Sequence, residues 1–568
     1  MKRSVGAGAC VVVLMLTAPM PRLSAQTAPA PQHASLFTIS GSVLSASTGQ
    51  RLDRADVTLS TPPQGNDPQG SQLAETTTAE DGSFRFDQLQ PGKYILYASR
   101  RGYIAGNYDE HESFSTLIAV GPNIVSGLDV TALRFRLLPE AVIGGTITDE
   151  AGDPIRRTGV TLYRQYTSNG LGNIVRAGAT NTDDTGAYEL AHLQPGTYFV
   201  SATAIPWYAT RPQAALNAQG NPNPGASAAR SPLDVAYPLT FYANATDSEN
   251  ATPIPIRAGD RLVIDLSLHP VPSIDLTFQR SAGGNQAAFP QLTQNIFGSE
   301  EPIPAFGIRS MISRGTTQSY EISGIAPGHY DIRFNGPGGE SGNAASLDLT
   351  GDQNLDLSAL SAGVDISGKV AMSDNEKLPR GLAISLRSPG NPDVVSPGTS
   401  SALVAENGTF TLHNVSAGAW ELVANARGTT LAVTKMEASG AAAEGSQLTV
   451  TNQPVSVAAL LADGETAVTG FAGRDNKPTP GVMVLLVPRD PRANHELFRR
   501  SQSDSDGSFL LRRVVPGNYT LIAVEEGWTL DWARPEVIEK YLARGQAVVV
   551  PFRTSDLNLR QPVETQPR

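Results

Sequence analysis

The sequence holds one cysteine in 568 residues, Cys10. It opens an apolar run, Cys10 to Leu16, that follows Lys2 and Arg3 and precedes Leu23-Ser24-Ala25, the pattern of an export signal over residues 1–25. A mature chain beginning near Gln26 has no thiol, so disulfides and thiolate nucleophiles are excluded and each domain must rest on an ordinary hydrophobic core. Cys10 precedes the hydrophobic segment and is not placed to accept a lipid. Charge is also sparse, at 17% of residues, which disfavours long solvated helices. The balance is acidic: the net charge of −11 becomes −14 once Lys2, Arg3 and Arg22 leave with the signal, and no basic stripe offsets it. Nucleic acid is therefore excluded as a partner. After the leader, no run approaches the roughly 18 apolar residues that a membrane-spanning helix needs.

Catalytic signatures are missing as well. None of the seven histidines is followed three residues later by glutamate, so the His-x-x-Glu pair of a zinc peptidase is absent. Gly-x-Ser-x-Gly does not occur, and "GLGNIV" from 170 lacks the third glycine of a dinucleotide loop. No enzyme activity, cofactor or metal is expected.

What the chain does have is 54 glycines and 41 prolines, the composition of short strands joined by many turns. "DGSFRFDQLQPGKY", residues 81–94, is one copy of a unit that recurs five times. Phe84, Tyr188, Tyr320, Phe410 and Phe509 each stand seven residues before Pro91, Pro195, Pro327, Ala417 and Pro516. A glycine follows each of these, and two residues further come Tyr94, Tyr198, Tyr330, Trp420 and Tyr519. Two further positions between the aromatics are apolar in every copy, as at Phe86 and Leu89. Aromatic and apolar residues at i and i+2 share one face of a strand. Pro-Gly predicts a type II turn, with glycine at φ > 0. Asp81-Gly82, Thr185-Gly186, Asn407-Gly408 and Asp506-Gly507 predict a tight turn into the hairpin, which the third copy lacks.

A spacing of about 100 residues between copies means tandem domains. Each opens on a glycine-bearing strand such as "ISGSV" from 39 or "VTGFA" from 468. The predicted fold is all-β: about five Greek-key β-sandwiches at 36–138, 139–270, 271–360 (divergent), 361–460 and 461–560, called units one to five below. Residues 212–232 read as a flexible insertion in unit two, and "RPEVIEKYLARG" predicts a short helix over 534–544 in unit five.

The combination "DGSF…LQPGKYIL", "DTGAYEL…LQPGTYFV" and "SDSDGSFLLRRVVPGNYTLIAVEEGW" resembles the carboxypeptidase regulatory-like domain. That domain is similar to transthyretin, to the Cna-B repeats of bacterial adhesins and to starch-binding modules. The resemblance covers most of residues 36–553 and implies a non-catalytic immunoglobulin-like module in an exported Gram-negative protein, periplasmic, outer-membrane-associated or extracellular. It implies a polysaccharide as partner, or alternatively a protein of the cell envelope for a structural or adhesive spacer.

Aromatic faces stack on the apolar side of sugar rings, which singles out the aromatics after the second hairpin strand: Tyr103, Trp207, Tyr208, Trp528 and Trp532, with Tyr108, Tyr237 and Tyr242 nearby. Trp528 and Trp532 have a second reading, in which they pack the short helix onto its sandwich. "SDSDGSF" from 503 alternates Asp504 and Asp506 before Gly507 as calcium loops do, but no later acid completes a loop, so a hairpin turn is the better reading. Lys369 stands where Cna-B relatives carry an isopeptide lysine; a solvated strand lysine is expected instead.

Overall fold

The computed structural model describes residues 36–63, 70–210, 231–281, 289–303, 308–314, 317–335, 341–356, 363–389, 401–492 and 494–568. The expected export signal lies outside them, as does the expected insertion up to residue 230. Among the described residues the protein is all-β apart from one α-helix and short 3-10 turns. Five hydrophobic cores each draw on one stretch of chain, spanning Ile39 to Leu137, Ala141 to Leu268, Ile274 to Leu349, Ile366 to Leu461 and Val468 to Val563.

One topology repeats in all five. The opening strand, Phe37–Ser45 in unit one, pairs antiparallel with the motif strand Ser83–Leu89 and parallel with the closing strand Leu133–Pro139; Ser83–Leu89 and Gly92–Ser99 lie in different sheets, so the expected hairpin is a crossover between sheets. The corresponding opening strands Ala141–Thr148, Ile274–Ser281, Val364–Met372 and Thr466–Arg474 pair in the same two ways. A second sheet faces the first, built in unit one on Asp56–Ser60 between Gln72–Thr77 and Gly92–Ser99. In unit five a further strand, Val563–Gln566, lies beyond residue 560 and pairs with both Thr466–Arg474 and Gly517–Val524. Val563 is buried there, so the unit closes later in the chain than its expected boundary.

The spacing of the repeated motif has a physical cause. Two core residues stand at i and i+2, but the third stands at i+5 rather than i+4. In every copy the register slips by one residue at this point: Ile39 faces Phe86 while Phe37 faces Leu89, and the other four motif strands do the same. The extra residue is a β-bulge, and it takes left-handed φ at Gln88, His192, Gly324 and Arg513. Without it Leu89 would turn away from the core. This corrects the turn expected at Pro-Gly. The left-handed residue stands three positions before the proline, and the glycine begins the next strand.

That glycine has another role. The aromatic two residues on folds back across it and bonds the carbonyl four residues upstream. Tyr94, Tyr198, Tyr330 and Tyr519 donate their hydroxyls to Gln90, Gln194, Ala326 and Val515 at 2.7, 2.8, 2.7 and 2.7 Å. Trp420 makes the same bond to Ser416 with its indole N–H at 2.9 Å. A Cβ would stand 3.2 Å from the Tyr330 ring at Gly328 and 3.3 Å from the Tyr519 ring at Gly517, so in units three and five glycine gives the clamp room. Burial pushes Tyr330 and Tyr519 up to about 12, so the hydroxyls remain donors. Tyr519→Phe should cost about 1–3 kcal/mol, because the buried Val515 carbonyl loses its partner. Urea unfolding checks this, and a change under about 0.5 kcal/mol would show the clamp to be idle.

The helix forms at Pro535–Leu542 with proline in its first turn and Ile538 buried. It covers the outer face of the strand Met483–Pro488, every residue of which is buried. A strand without alternation is one covered on both faces. Lys369 is exposed on its strand, as expected of a solvated lysine.

Candidate functional site

In unit two the strand Gly196–Thr203 runs out into a loop at Ala204. Pro206 is buried and turns the chain so that Trp207 projects, 87% exposed. The half-buried Tyr208 stands edge-on to it, with ring centroids 5.7 Å apart and planes at 87°. Tyr208 donates its hydroxyl to Glu150 Oε1, and Tyr237 donates to Glu150 Oε2 at 3.1 Å. Burial pushes the Glu150 carboxyl up, but these hydroxyls and the nearby His269 more than offset that, and it is held below its ordinary range. Burial and the same hydrogen bond push both tyrosines up. The carboxylate therefore fixes two tyrosines, of which Tyr208 meets the exposed indole, with the apolar Ile205 and Leu233 also exposed. Among the described residues no three His, Asp or Glu side chains converge as a metal site would require.

The other predicted aromatics are placed differently. Tyr103 is half-buried against the core of unit one, with the Arg100 guanidinium 5.4 Å over its ring. Trp528 and Trp532 are buried, 7% and 3% exposed, and do not project from the surface as Trp207 does; Trp532 lines an internal cavity between units instead. The cause is non-local: other units cover them. Trp528 stacks on His111 of unit one at 5.1 Å and 7°, with Phe114 at 5.6 Å. Trp532 stacks on His495 at 6.0 Å and 6°, beneath the Arg500 guanidinium, and meets the turn at Gly170 of unit two. They pack the helix and also join the units.

Around them unit five docks on three others. Arg500, Gln502 and Asp504, at i, i+2 and i+4, all face unit one. Arg500 forms a bidentate pair with Glu112, 2.6 Å for Nη1 to Oε1. Gln502 donates to the Asp109 carbonyl at 2.6 Å and to Thr116 Oγ1 at 2.8 Å. Asp504 accepts Lys93 Nζ at 2.5 Å and the Leu117 N–H at 3.2 Å. Asp506 Oδ1 accepts the Ser508 N–H at 3.1 Å, so the two aspartates serve a docking contact and a turn. Toward unit four, Arg387 bridges Glu421 and Glu496, each at 2.8 Å. A cavity of about 490 Å³ remains where units one, two, four and five meet. Burial pulls His495, on its wall, below the ordinary histidine range. Sequence reasoning missed this junction. Its one signal was the alternation of long polar residues with serine in "RSQSD", which marks a polar strand face without naming what the face meets.

The carboxypeptidase regulatory-like domain model matches residues 38–131 and 142–225, together less than a third of the chain. The model of the second beta sandwich domain of BOS complex subunit NOMO1-like matches residues 467–545. No curated protein matches the sequence. Similar solved structures include the Bacillus anthracis TIE protein, at 10% identity over 71% of each chain with a TM-score of 0.17. The shaft pilin SpaA of Lactobacillus rhamnosus GG matches at 10% over 42% of this chain and 98% of its own, with a TM-score of 0.19. The minor pilin GBS52 of Streptococcus agalactiae matches at 15% over 41% of this chain and 96% of its own, with a TM-score of 0.20. Scores this low are no guide to how the units are arranged. Residues 38–131 and 142–225 are thus similar to the carboxypeptidase regulatory-like domain, and the chain is a tandem array of β-sandwiches.

Proposed function

We propose that this is an exported, non-catalytic binding protein that holds a polysaccharide through the Trp207 loop of unit two. The observation that carries the reading is the 87% exposure of Trp207, fixed from below by Tyr208 and Glu150. An open indole supplies a flat apolar face for a pyranose ring. Truncating an aromatic anchor of this kind costs roughly 2 kcal/mol or more, about 30-fold in affinity. Trp207→Ala should therefore lose most binding to the glycan preferred in a panel of soluble and insoluble polysaccharides. Its melting temperature should not move, since the side chain packs on little else. Absence of binding to every glycan by the unmodified protein would overturn the reading.

A structural or adhesive role among envelope proteins is the second reading. It is favoured by the docking of unit five on units one, two and four, which suits a stiff scaffold better than a string of separate domains. Small-angle scattering separates the two forms: a scaffold scatters as one compact body, and a string as an extended one.

A further inference from the structure

A second cavity, about 310 Å³, lies between units two and three. Tyr163 and Arg176 of unit two and Gln294, Glu301 and Tyr330 of unit three line it, with Tyr237 at its side. Its shape is held by Phe297 of unit three, whose ring packs against Tyr163, Phe199 and Phe241 of unit two at 5.2, 4.8 and 5.6 Å. The Phe297 N–H donates to Ser248 across the same contact at 3.2 Å. The cavity is thus preformed, and its volume is at the small end of ligand sites.

Its chemistry is mixed and balanced. Tyrosine rings form apolar walls, while Tyr163 donates its hydroxyl to Glu301 Oε2 at 3.2 Å. Burial pushes the Glu301 carboxyl up, and Tyr163 and Arg176 pull the other way. One guanidinium, one carboxyl and one amide face the same space. An anionic or cationic ligand would be repelled by one member of the Arg176 and Glu301 couple, and a wholly apolar one would leave the polar groups without partners. A neutral ring with apolar C–H faces and a rim of hydroxyls meets every requirement.

The cavity is continuous with the Trp207 loop. Tyr237 serves both, its ring beside the cavity and its hydroxyl on Glu150 beneath Tyr208. Ala204 is on the cavity wall, and Trp207 follows three residues later, at most about 11 Å along an extended chain. We infer that the cavity between units two and three is a subsite for one neutral sugar residue of the same glycan chain that crosses Trp207. This inference rests on the carbohydrate reading above.

The test is calorimetric titration of the mature protein with neutral cello-, malto-, manno- and xylo-oligosaccharides of two to six residues. Arg176→Ala, Gln294→Ala and Trp207→Ala are compared, each checked by its melting temperature. Arg176 is exposed and Gln294 half-buried, so these cavity variants do not disturb a core. The expected result is about tenfold weaker binding for each cavity variant, together with the loss for Trp207→Ala. If both cavity variants bind as the unmodified protein does while Trp207→Ala binds weakly, the subsite is wrong and the Trp207 reading stands. If the unmodified protein binds no oligosaccharide in the series and no polysaccharide in the panel, both fall.

Discussion

Trp532→Ala is expected to lower the unfolding free energy of unit five by about 3–5 kcal/mol, the range for emptying a buried tryptophan site. The side chain is 3% exposed, with Phe498 at 5.2 Å on one side and the Gly170 turn of unit two on another. Ala533, the next residue, donates its N–H to the Gly170 carbonyl at 3.0 Å, so the loss should spread to the contact between units. Denaturation should therefore show a destabilised C-terminal unit, and hydrogen exchange should show faster opening at residues 169–172. The indole N–H is buried without a hydrogen-bond partner. Removing it costs nothing in hydrogen bonding, so Trp532→Phe should recover much of the loss. A cost below about 1 kcal/mol for the alanine variant would mean that the indole does not hold the junction.

Asp504→Ala is expected to cost about 2–3 kcal/mol and to loosen unit five from unit one. Removing one member of a buried ion pair costs roughly 3–5 kcal/mol, because the other is left uncompensated. The Asp504 side chain is 10% exposed and Lys93 is 35% exposed, so Lys93 regains water and the cost falls below that range. The Leu117 N–H loses its acceptor as well. A double-mutant cycle with Lys93→Ala should give a coupling above about 1 kcal/mol. Additive single effects would show that the contact between units one and five does not depend on this pair.

The fold was legible because its signals are local. Five aromatic-to-glycine motifs at one spacing identified the five cores, and proline and glycine bracketed the helix at 535–542. The type II turn was misread because Pro-Gly is a turn signal only when the preceding strand is regular. The bulge at Gln88, His192, Gly324 and Arg513 had already taken up the left-handed residue within the strand, and its one trace was the i+5 spacing of the third apolar residue. The candidate site was less legible. Trp207, Trp528 and Trp532 occupy similar loops, yet the first is exposed and the other two are buried. What covers Trp528 is His111 and Phe114, over 400 positions earlier, and no local pattern carries that contact. The unbroken apolar run Met483–Pro488 requires cover on both faces, and the helix of the same unit supplies the outer cover.

The turn that carries Asp504 also bears on the order in which the chain is made. Ser505 donates its N–H to the Leu117 carbonyl at 2.9 Å and accepts the Ala119 N–H on its hydroxyl at 2.8 Å. It thereby caps the outer edge of the strand Ile118–Val120, which on its inner side pairs with Gly92–Tyr94. Ser505 follows Ala119 by 386 residues. A unit one that has folded first therefore holds this edge open until unit five docks. An open strand edge is a template for pairing with another chain, and shortness is one of the ways proteins blunt it. At three residues, Ile118–Val120 offers too few free amide and carbonyl groups to recruit a foreign strand before its own cap arrives.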